Sequence, residues 1–235
     1  NNSNSFGPFC NKLKMMKSAK ISLLSIAIAC AKSQEPCGDE RCADDDVTDY
    51  YATSSHYDKL FGNGNMGFGY YPHLERSGLS GHSGAGSTSI VLDFSQASTK
   101  LTERIMSIAS IQPGDRVLDL GSGKGLACME IARATGAQCT GVDFTPENVE
   151  KANAVSKERY PELNVRFFVG SFTDLPAEVL VDGPHNIIVS RVALCHAHSN
   201  IHEFFEQVKK ALKPRTGRAI INDFLGGDGP PSETT

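Results

Sequence analysis

The stretch VLDLGSGKG, residues 117–125, decides the fold of this chain. Its apolar start predicts a buried strand, and three glycines follow at alternate positions, Gly121, Gly123 and Gly125. Glycine allows a sharp turn and a close approach of the backbone to a ligand, because it has no Cβ. The helix predicted after the glycines presents unpaired N–H groups and the positive end of its dipole to the same place. We therefore expect a strand, a ligand-binding turn and a helix, in this order.

Helix and strand signals alternate from residue 93 onward, which is typical of a parallel sheet covered by helices. Strands are predicted at 116–120, 138–143, 165–170, 186–190 and 218–223. Helices are predicted around Leu101, Ile105 and Ile108, at 126–135, after the cap residue Thr145 and at 201–212. The sequence thus predicts an α/β fold of three layers with a mostly parallel sheet.

Composition divides the chain into four segments. Residues 1–31 hold an upstream stretch and a predicted secretory signal, and residues 32–47 are polar and acidic, as expected of a linker. Residues 48–92 are rich in aromatic residues and glycine, which favours a cap or lid over a binding site. Residues 93–235 form the main domain.

The secretory signal is predicted from a charged start, an apolar run and a site of small residues. Lys17 and Lys20 precede the apolar run, which extends over 21–31 and ends on the small-residue site Ala29-Cys30-Ala31. The run is shorter than the roughly 20 residues that a helix needs to span a bilayer, so no stable transmembrane segment is expected. We expect entry into the secretory route, or into an organelle reached through it. The alternative is a buried amphipathic helix in a cytoplasmic protein.

Charge and cysteine spacing exclude several kinds of partner. The net charge of −4 and the absence of a block rich in lysine and arginine argue against nucleic acid and favour a small-molecule partner. The seven cysteines show no zinc-binding spacing, so no metal site is predicted. Cys128, Cys139 and Cys195 fall in predicted core elements, where buried free thiols are expected.

The spacing of the glycines indicates which ligand the turn holds. A dinucleotide fingerprint requires G-x-G-x-x-G, but Leu126 stands at the position of the third glycine. The pattern is instead D-x-G-x-G-x-G from Asp119, and a carboxylate before the glycines suits a ligand with an ammonium group. Asp143, at the end of the next strand, suits a ribose diol. A surface acid that caps the following helix is the alternative for Asp143.

Five segments together resemble one family in order and spacing. VLDLGSGKG, GVDFTPENVEKA, GSFTDLP, NIIVSRVALCHA and LKPRTGRAIINDF resemble S-adenosylmethionine-dependent methyltransferases with the Rossmann-like fold. The chain is most similar to those acting on small molecules, such as sterol, tocopherol and sarcosine/dimethylglycine methyltransferases. The resemblance implies S-adenosylmethionine as cofactor and methyl transfer to a sterol- or lipid-like acceptor, or to an amine or carboxylate metabolite. The alternatives are a non-catalytic module that binds the cofactor or a partner, and an NAD-binding oxidoreductase.

The resemblance also implies the residues that bind the cofactor. The methionine end is assigned to Asp119 and to the loop residues Gly121, Ser122, Gly123 and Gly125, and the ribose to Asp143. The adenine is assigned to Phe144, Ser171 and Phe172. Many relatives have an aspartate in place of Ser171, so a turn role is the alternative there, and a core role is the alternative for Phe172.

Three residues are candidates for the substrate side. His196 follows the fourth predicted strand and is the candidate general base, with packing against the next helix as the alternative. Relatives often carry an acid where this chain has Val192, and the neighbouring Arg191 would instead suit a substrate carboxylate, which it can bind in bidentate geometry. Tyr70, with other tyrosines of the cap, either shapes the substrate pocket or attaches the cap to the core.

The family fold normally continues with two further strands after the segment at 218–223. Only eleven residues follow Phe224, so these strands are expected to be missing and the chain to be a fragment. The fifth predicted strand is then expected to have an open edge that a missing segment or a partner chain completes.

Overall fold

The structure is a computed structural model that describes residues 20–23, 69–70, 94–181 and 183–223. The predicted linker 32–47, most of the predicted cap 48–92 and most of the predicted signal lie outside the described residues. Within the cap, only Gly69 and Tyr70 are described, so the expectation of a cap over the site stays a prediction.

Twelve elements follow one another along the described residues. They are β1 (Lys20–Leu23), α1 (Phe94–Ala109), β2 (Arg116–Leu120), α2 (Leu126–Thr135), β3 (Gln138–Asp143), α3 (Pro146–Arg159), β4 (Val165–Val169), α4 (Ala177–Val181), β5 (Ile187–Arg191), a 3-10 helix (Leu194–Asn200), α5 (Ile201–Ala211) and β6 (Arg218–Asn222). The five strands predicted after residue 93 are present, with ends that differ from the prediction by no more than one residue.

The strands form one sheet in the order β1-β6-β5-β2-β3-β4, and every pair of neighbours is parallel. The predicted α/β fold with a parallel sheet is therefore confirmed. The chain winds outward from β2 through β3 to β4 in one direction, and through β5 and β6 in the other. Such a reversal of strand order leaves a crevice at the carboxyl ends of the two central strands, which here are β2 and β5.

The outer edge of β6 corrects one prediction. Lys20–Leu23 pairs with β6 in parallel, with Ile21 opposite Ala219, so the expected open edge at this strand is wrong. An edge strand has a row of unpaired N–H and C=O groups, and any extended segment within reach can pair with them. Here that segment comes from the stretch that the sequence marks as part of a signal.

Alternating side chains of the strands pack against helices on both faces of the sheet. Val117, Ile187 and Ile220 lie in the cluster of buried residues that includes Leu101 and Ile105 of α1. Their neighbours in sequence, which include Leu118, Ile188 and Ile221, lie in a second cluster with Phe204 and Val208 of α5. This period of two residues is the geometry of a strand that is buried on both faces. It produces the predicted three layers.

Phe204 is the largest of the fully buried side chains and has an exposed fraction of 0%. Its ring packs edge-on against Phe172 and Phe205, with centroids 5.5 Å and 5.3 Å away. We expect Phe204→Ala to lower the free energy of unfolding by about 3–5 kcal/mol, because it removes a buried ring and leaves a cavity. Urea denaturation measures the change, with the exposed Glu203→Ala as control. A loss below about 1 kcal/mol for Phe204→Ala would contradict the packing.

Candidate functional site

The glycine loop between β2 and α2 lies at the carboxyl end of the sheet. Gly121, Gly123 and Gly125 have φ values of 80°, 53° and 76°. Side chains with a Cβ rarely adopt such values. The space is also restricted, since a Cβ on Gly121 would lie 2.4 Å from the Cβ of Ala193. The backbone conformation therefore favours glycine at all three positions, and the packing requires it at Gly121 and at Gly125, where a Cβ would meet the ring of Phe167.

Hydrogen bonds to β3 fix the shape of this loop. The N–H groups of Gly121 and Ser122 both donate to the carbonyl oxygen of Val142, at 2.9 Å and 3.0 Å. The hydroxyl of Ser122 is buried against Gly141, where a Cβ would come within 2.7 Å of the Ser122 Oγ. The loop is thus held against the neighbouring strand before any ligand arrives. The predicted cofactor contact of Ser122 stays a prediction.

Asp143 at the end of β3 joins the loop to the next helix. Its Oδ2 accepts the N–H of Gly123 at 2.7 Å, and its Oδ1 accepts the N–H of Thr145 and the Nδ2 of Asn148, at 3.0 Å and 3.2 Å. Burial raises the pKa of Asp143, and the N–H groups of Thr145 and Gly123 oppose that rise. The side chains of Asn148 and Thr145 also lower the pKa of this carboxyl, so Asp143 connects the loop to the start of α3, and its contact with a ribose hydroxyl stays a prediction.

Asp119 at the end of β2 is the most deeply buried acid of the site, with an exposed fraction of 1%. Its Oδ2 lies 3.7 Å from the donating thiol of Cys128. Its Oδ1 has no hydrogen-bond partner among the described residues. Burial raises the pKa of Asp119 to about 6, while the charge of Arg191 opposes the rise. A buried carboxylate oxygen without a donor is unfavourable, so this atom fits a ligand that brings an ammonium group.

Arg191, the predicted substrate contact, ends β5 on the same face of the sheet as Asp119. Val189 is paired with Asp119, and Arg191 comes two residues later. Its Nη1 donates to the Oγ1 of Thr102 in α1 at 3.2 Å. The next residue, Val192, has a φ of 52°, which is strained for a β-branched side chain. The structure therefore brings Arg191 to the same side of the crevice as Asp119.

The predicted adenine contacts have structural roles of their own. Ser171 Oγ lies 2.7 Å from the Oγ1 of Thr173 and accepts the N–H of that residue at 3.1 Å, as in a turn. Phe172 packs edge-on against Phe204. Phe144 is half-buried directly after β3. The roles left open as alternatives for Ser171 and Phe172 are thus observed, and contacts of the three residues with adenine stay predictions.

His196 lies in the main domain, whereas Tyr70 belongs to the segment 48–92. His196 is half-buried in the 3-10 helix, where its N–H donates to the carbonyl oxygen of Ala193. The N–H of Tyr70 donates to the carbonyl oxygen of Ala97 in α1 at 2.8 Å, and the guanidinium of Arg104 lies 5.9 Å from its ring centroid. Tyr70 thus attaches its segment to α1, as the alternative role required. Its substrate contact and the base role of His196 stay predictions.

Thr102 and Cys128 belong to the site although the sequence did not single them out for it. Thr102 occupies the apolar stripe of α1, and Cys128 is the expected buried thiol. Cys139 is also buried, but Cys195 is exposed, which corrects its expected core position. Its position just past the end of β5, in the 3-10 helix, explains the difference.

The described residues hold neither a metal cluster nor a membrane-spanning helix. Over 94–181 and 183–223, and in the shorter described segments, no group of three or more histidine, cysteine or acidic side chains is placed to hold a metal ion. No helix in this part of the chain has the length and apolar character needed to cross a membrane.

Residues 111–225 match a family model described as a methyltransferase domain. This segment is a methyltransferase domain with a Rossmann-like fold. The family indicates S-adenosylmethionine as the cofactor of the domain. Asp119 and the glycine loop fit that cofactor, since a buried carboxylate oxygen that lacks a donor lies next to a turn with no side chain at three of its positions.

Two curated methyltransferases are each similar to more than half of this chain. The chain is 34% identical over 122 residues to a sterol methyltransferase-like protein of Botryococcus braunii, and the match covers 52% of this chain and 30% of that protein. It is 25% identical over 185 residues to a glycine/sarcosine/dimethylglycine N-methyltransferase of Actinopolyspora halophila, covering 79% of this chain and 32% of the relative. The chain thus spans about a third of the length of these two curated relatives.

A solved structure supports the fold independently. A cyclopropane synthase of Mycobacterium tuberculosis superimposes with a TM-score of 0.57 at 17% identity, covering 74% of this chain and 55% of that chain. At this identity the likeness concerns the fold, which is the Rossmann-like arrangement of the methyltransferase domain.

The raised pKa of Asp119 predicts how pH acts on stability. The pKa is about 6 in the folded chain, against an ordinary value of 3.8, so the folded state holds its proton more tightly. The stability contributed by the buried neutral acid is present below pH 4 and is lost as pH rises through 6. Asp119→Asn removes this dependence. The predicted quantity is the free energy of unfolding of Asp119→Asn minus that of the unsubstituted chain. We expect this difference to be about 1–3 kcal/mol larger at pH 7.5 than at pH 4.

Urea denaturation of both proteins at the two pH values measures this difference without cofactor. The exposed Asp174→Asn is a matched control and should give a difference near zero at both pH values. An Asp119→Asn difference that stays constant with pH would contradict the raised pKa.

Proposed function

We propose that this chain is an S-adenosylmethionine-dependent methyltransferase that acts on a small molecule. One observation carries the proposal: the buried Asp119 has an oxygen without a donor, and it lies directly before a glycine loop whose backbone has positive φ at three positions. When bound, S-adenosylmethionine would supply an electrophilic methyl group, which a nucleophile attacks in line while the thioether of S-adenosylhomocysteine leaves. Asp119 would bind the ammonium group and Asp143 a ribose hydroxyl. The family match over 111–225 supports the same activity.

The chain's own contribution to the reaction would consist mainly of positioning. A methyl transfer in line needs the two reacting atoms aligned and water excluded, and rigid elements supply both. The loop is fixed by bonds from Gly121 and Ser122 to Val142 and from Gly123 to Asp143, so its shape is set in advance. His196, which follows β5, would accept a proton only where the nucleophile carries one.

The proposed acceptor is a sterol- or lipid-like molecule, or an amine or carboxylate metabolite. The names of the relatives point in both directions, since one is sterol methyltransferase-like and another is an N-methyltransferase of glycine, sarcosine and dimethylglycine. Among the described residues at the crevice, Val192 follows Arg191 at the end of β5, where a relative's acid would favour a cationic acceptor. The same acid would also stabilise a developing carbocation, so Val192 bears on amine and sterol-like acceptors alike.

Binding and transfer are tested in turn on the full chain. Calorimetry with S-adenosylhomocysteine and with NAD decides the cofactor, and labelled S-adenosylmethionine with a metabolite extract then reveals a methylated product by mass. We expect S-adenosylhomocysteine to bind more tightly than NAD and a small-molecule product to form. Binding without any product would favour the non-catalytic module, and tighter binding of NAD would overturn the proposal.

Asp143→Asn sharpens this test. Asparagine keeps the size of the side chain but loses the charge that accepts the N–H of Gly123, so both the ribose contact and the loop are weakened. We expect S-adenosylhomocysteine to bind at least about tenfold more weakly. The exposed Asp174→Asn is the control and should bind as the unsubstituted chain does. Unchanged binding by Asp143→Asn would refute its role.

We also propose that the chain enters the secretory route, on the charged start and apolar run of residues 17–31. Cleavage after Ala31 would remove β1, which pairs with β6. Expression in a eukaryotic host followed by intact mass measurement tests this, with Leu24→Arg in the apolar run as control. We expect a product that begins after Ala31, and only for the unsubstituted chain. An intracellular product of full mass would refute the proposal.

A further inference from the structure

Asp119 and Arg191 are opposite charges at the carboxyl ends of the two central strands. Asp119 is the fourth residue of β2, and Arg191 is the last residue of β5. The two strands are neighbours, and the pairing of Asp119 with Val189 puts both side chains on one face of the sheet. The strand order reverses between these strands, which is where parallel sheets bind their ligands. The arrangement is therefore a charged pair at the mouth of the crevice.

The side chain of Arg191 and the backbone beside it are each held by a hydrogen bond. Its Nη1 donates to the Oγ1 of Thr102, whose hydroxyl also lies 3.3 Å from the carbonyl oxygen of Ser98. Thr102 has an exposed fraction of 1%, so this anchor is inside the protein. On the backbone side, the N–H of Val192 donates to the carbonyl oxygen of Asn222 at 2.7 Å and fixes the end of β5. The cation is thus positioned before a ligand binds.

The carboxylate of Asp119 has weaker hydrogen-bond partners than the guanidinium of Arg191. Asp119 Oδ1 has no hydrogen-bond partner among the described residues, and Cys128 is only a weak donor to Oδ2. A ligand that supplies an ammonium group there would place a positive charge beside Arg191 unless it also brought a negative one. An α-amino-acid group carries both charges on one carbon and would leave each protein charge compensated.

We propose that Asp119 and Arg191 form a paired subsite for an α-amino-acid zwitterion, in which Arg191 binds the carboxylate. The inference rests on the proposed function, because the zwitterion is then the methionine end of the cofactor. Arginine suits this role, since its planar fork of N–H groups matches a carboxylate in bidentate geometry. Arg191 would then be a cofactor contact, which differs from the substrate contact that its sequence position suggested.

A series of three ligands separates the carboxylate from the rest of the cofactor. S-adenosylhomocysteine has both charged groups, its decarboxylated analogue 5′-deoxy-5′-(3-aminopropylthio)adenosine has only the amine, and 5′-methylthioadenosine has neither. Calorimetry on the full chain at pH 8 measures the affinity for each. We expect the unsubstituted chain to prefer S-adenosylhomocysteine over the decarboxylated analogue by about tenfold or more.

Arg191→Gln should remove that preference. We expect it to bind S-adenosylhomocysteine about 10- to 100-fold more weakly and the decarboxylated analogue with a change below about threefold. Arg191→Lys keeps the charge and the fold but not the fork, and should lose part of the preference. Thr102→Val keeps the shape and removes the anchor, and should weaken S-adenosylhomocysteine selectively. The exposed Arg133→Gln is the matched control and should leave all three affinities unchanged.

The outcomes distinguish this inference from the function on which it rests. If the unsubstituted chain binds S-adenosylhomocysteine but Arg191→Gln and Arg191→Lys weaken all three ligands equally, Arg191 supports the fold and the carboxylate contact is refuted. If the two variants bind normally but transfer no methyl group, Arg191 contacts the acceptor and the inference is refuted alone. If the unsubstituted chain binds none of the three ligands, the proposed function fails and the inference fails with it.

Discussion

The carboxylate of Asp119 is buried at the centre of the sheet, and the functional end of the domain depends on how its charge is compensated. Burial raises its pKa to about 6, so the free chain tolerates an acid that is only partly balanced by Arg191. An interior position is unfavourable for such a group unless it gains a partner. The domain therefore has an incompletely compensated carboxylate at the place where a cationic group of the cofactor would bind. Solvent does not compensate this charge, because Asp119 is almost fully buried near the end of a central strand.

The glycine loop is the second part of the same arrangement. Its conformation is possible because Gly121, Gly123 and Gly125 adopt positive φ, and its position is fixed by Val142 and Asp143 of β3. A flexible loop would have to be ordered on binding, at a cost in conformational entropy. Since the loop is held by main-chain bonds to a buried strand, most of that ordering is complete in the free chain. The acid and the loop thus form one preorganised unit.

Much of the fold could be predicted from the sequence because its signals are local. Apolar runs such as 116–120 and 138–143 mark strands buried on both faces, and the glycine spacing with Asp119 marks the loop. The edge strand Lys20–Leu23 could not be predicted, since its pairing with β6 depends on residues far along the chain. The contacts of Arg191 could not be predicted from the sequence for a similar reason. They depend on the register between β2 and β5 and on a threonine of α1, and Thr102 looks like any other residue of an apolar helix stripe.

The hydrogen bond from Gly123 to Asp143 has a consequence for how the cofactor would be recognised. The acid assigned to the ribose also holds the loop assigned to the methionine end, so the two halves of the ligand do not meet independent sites. Adenosine alone or methionine alone would then each bind to a loop and an acid that the other fragment also helps to order. Their separate binding free energies would fall short of the value for the joined molecule by more than the entropy of linking them. Recognition of the whole cofactor over its breakdown products would follow from one hydrogen bond between a main-chain N–H and a carboxylate.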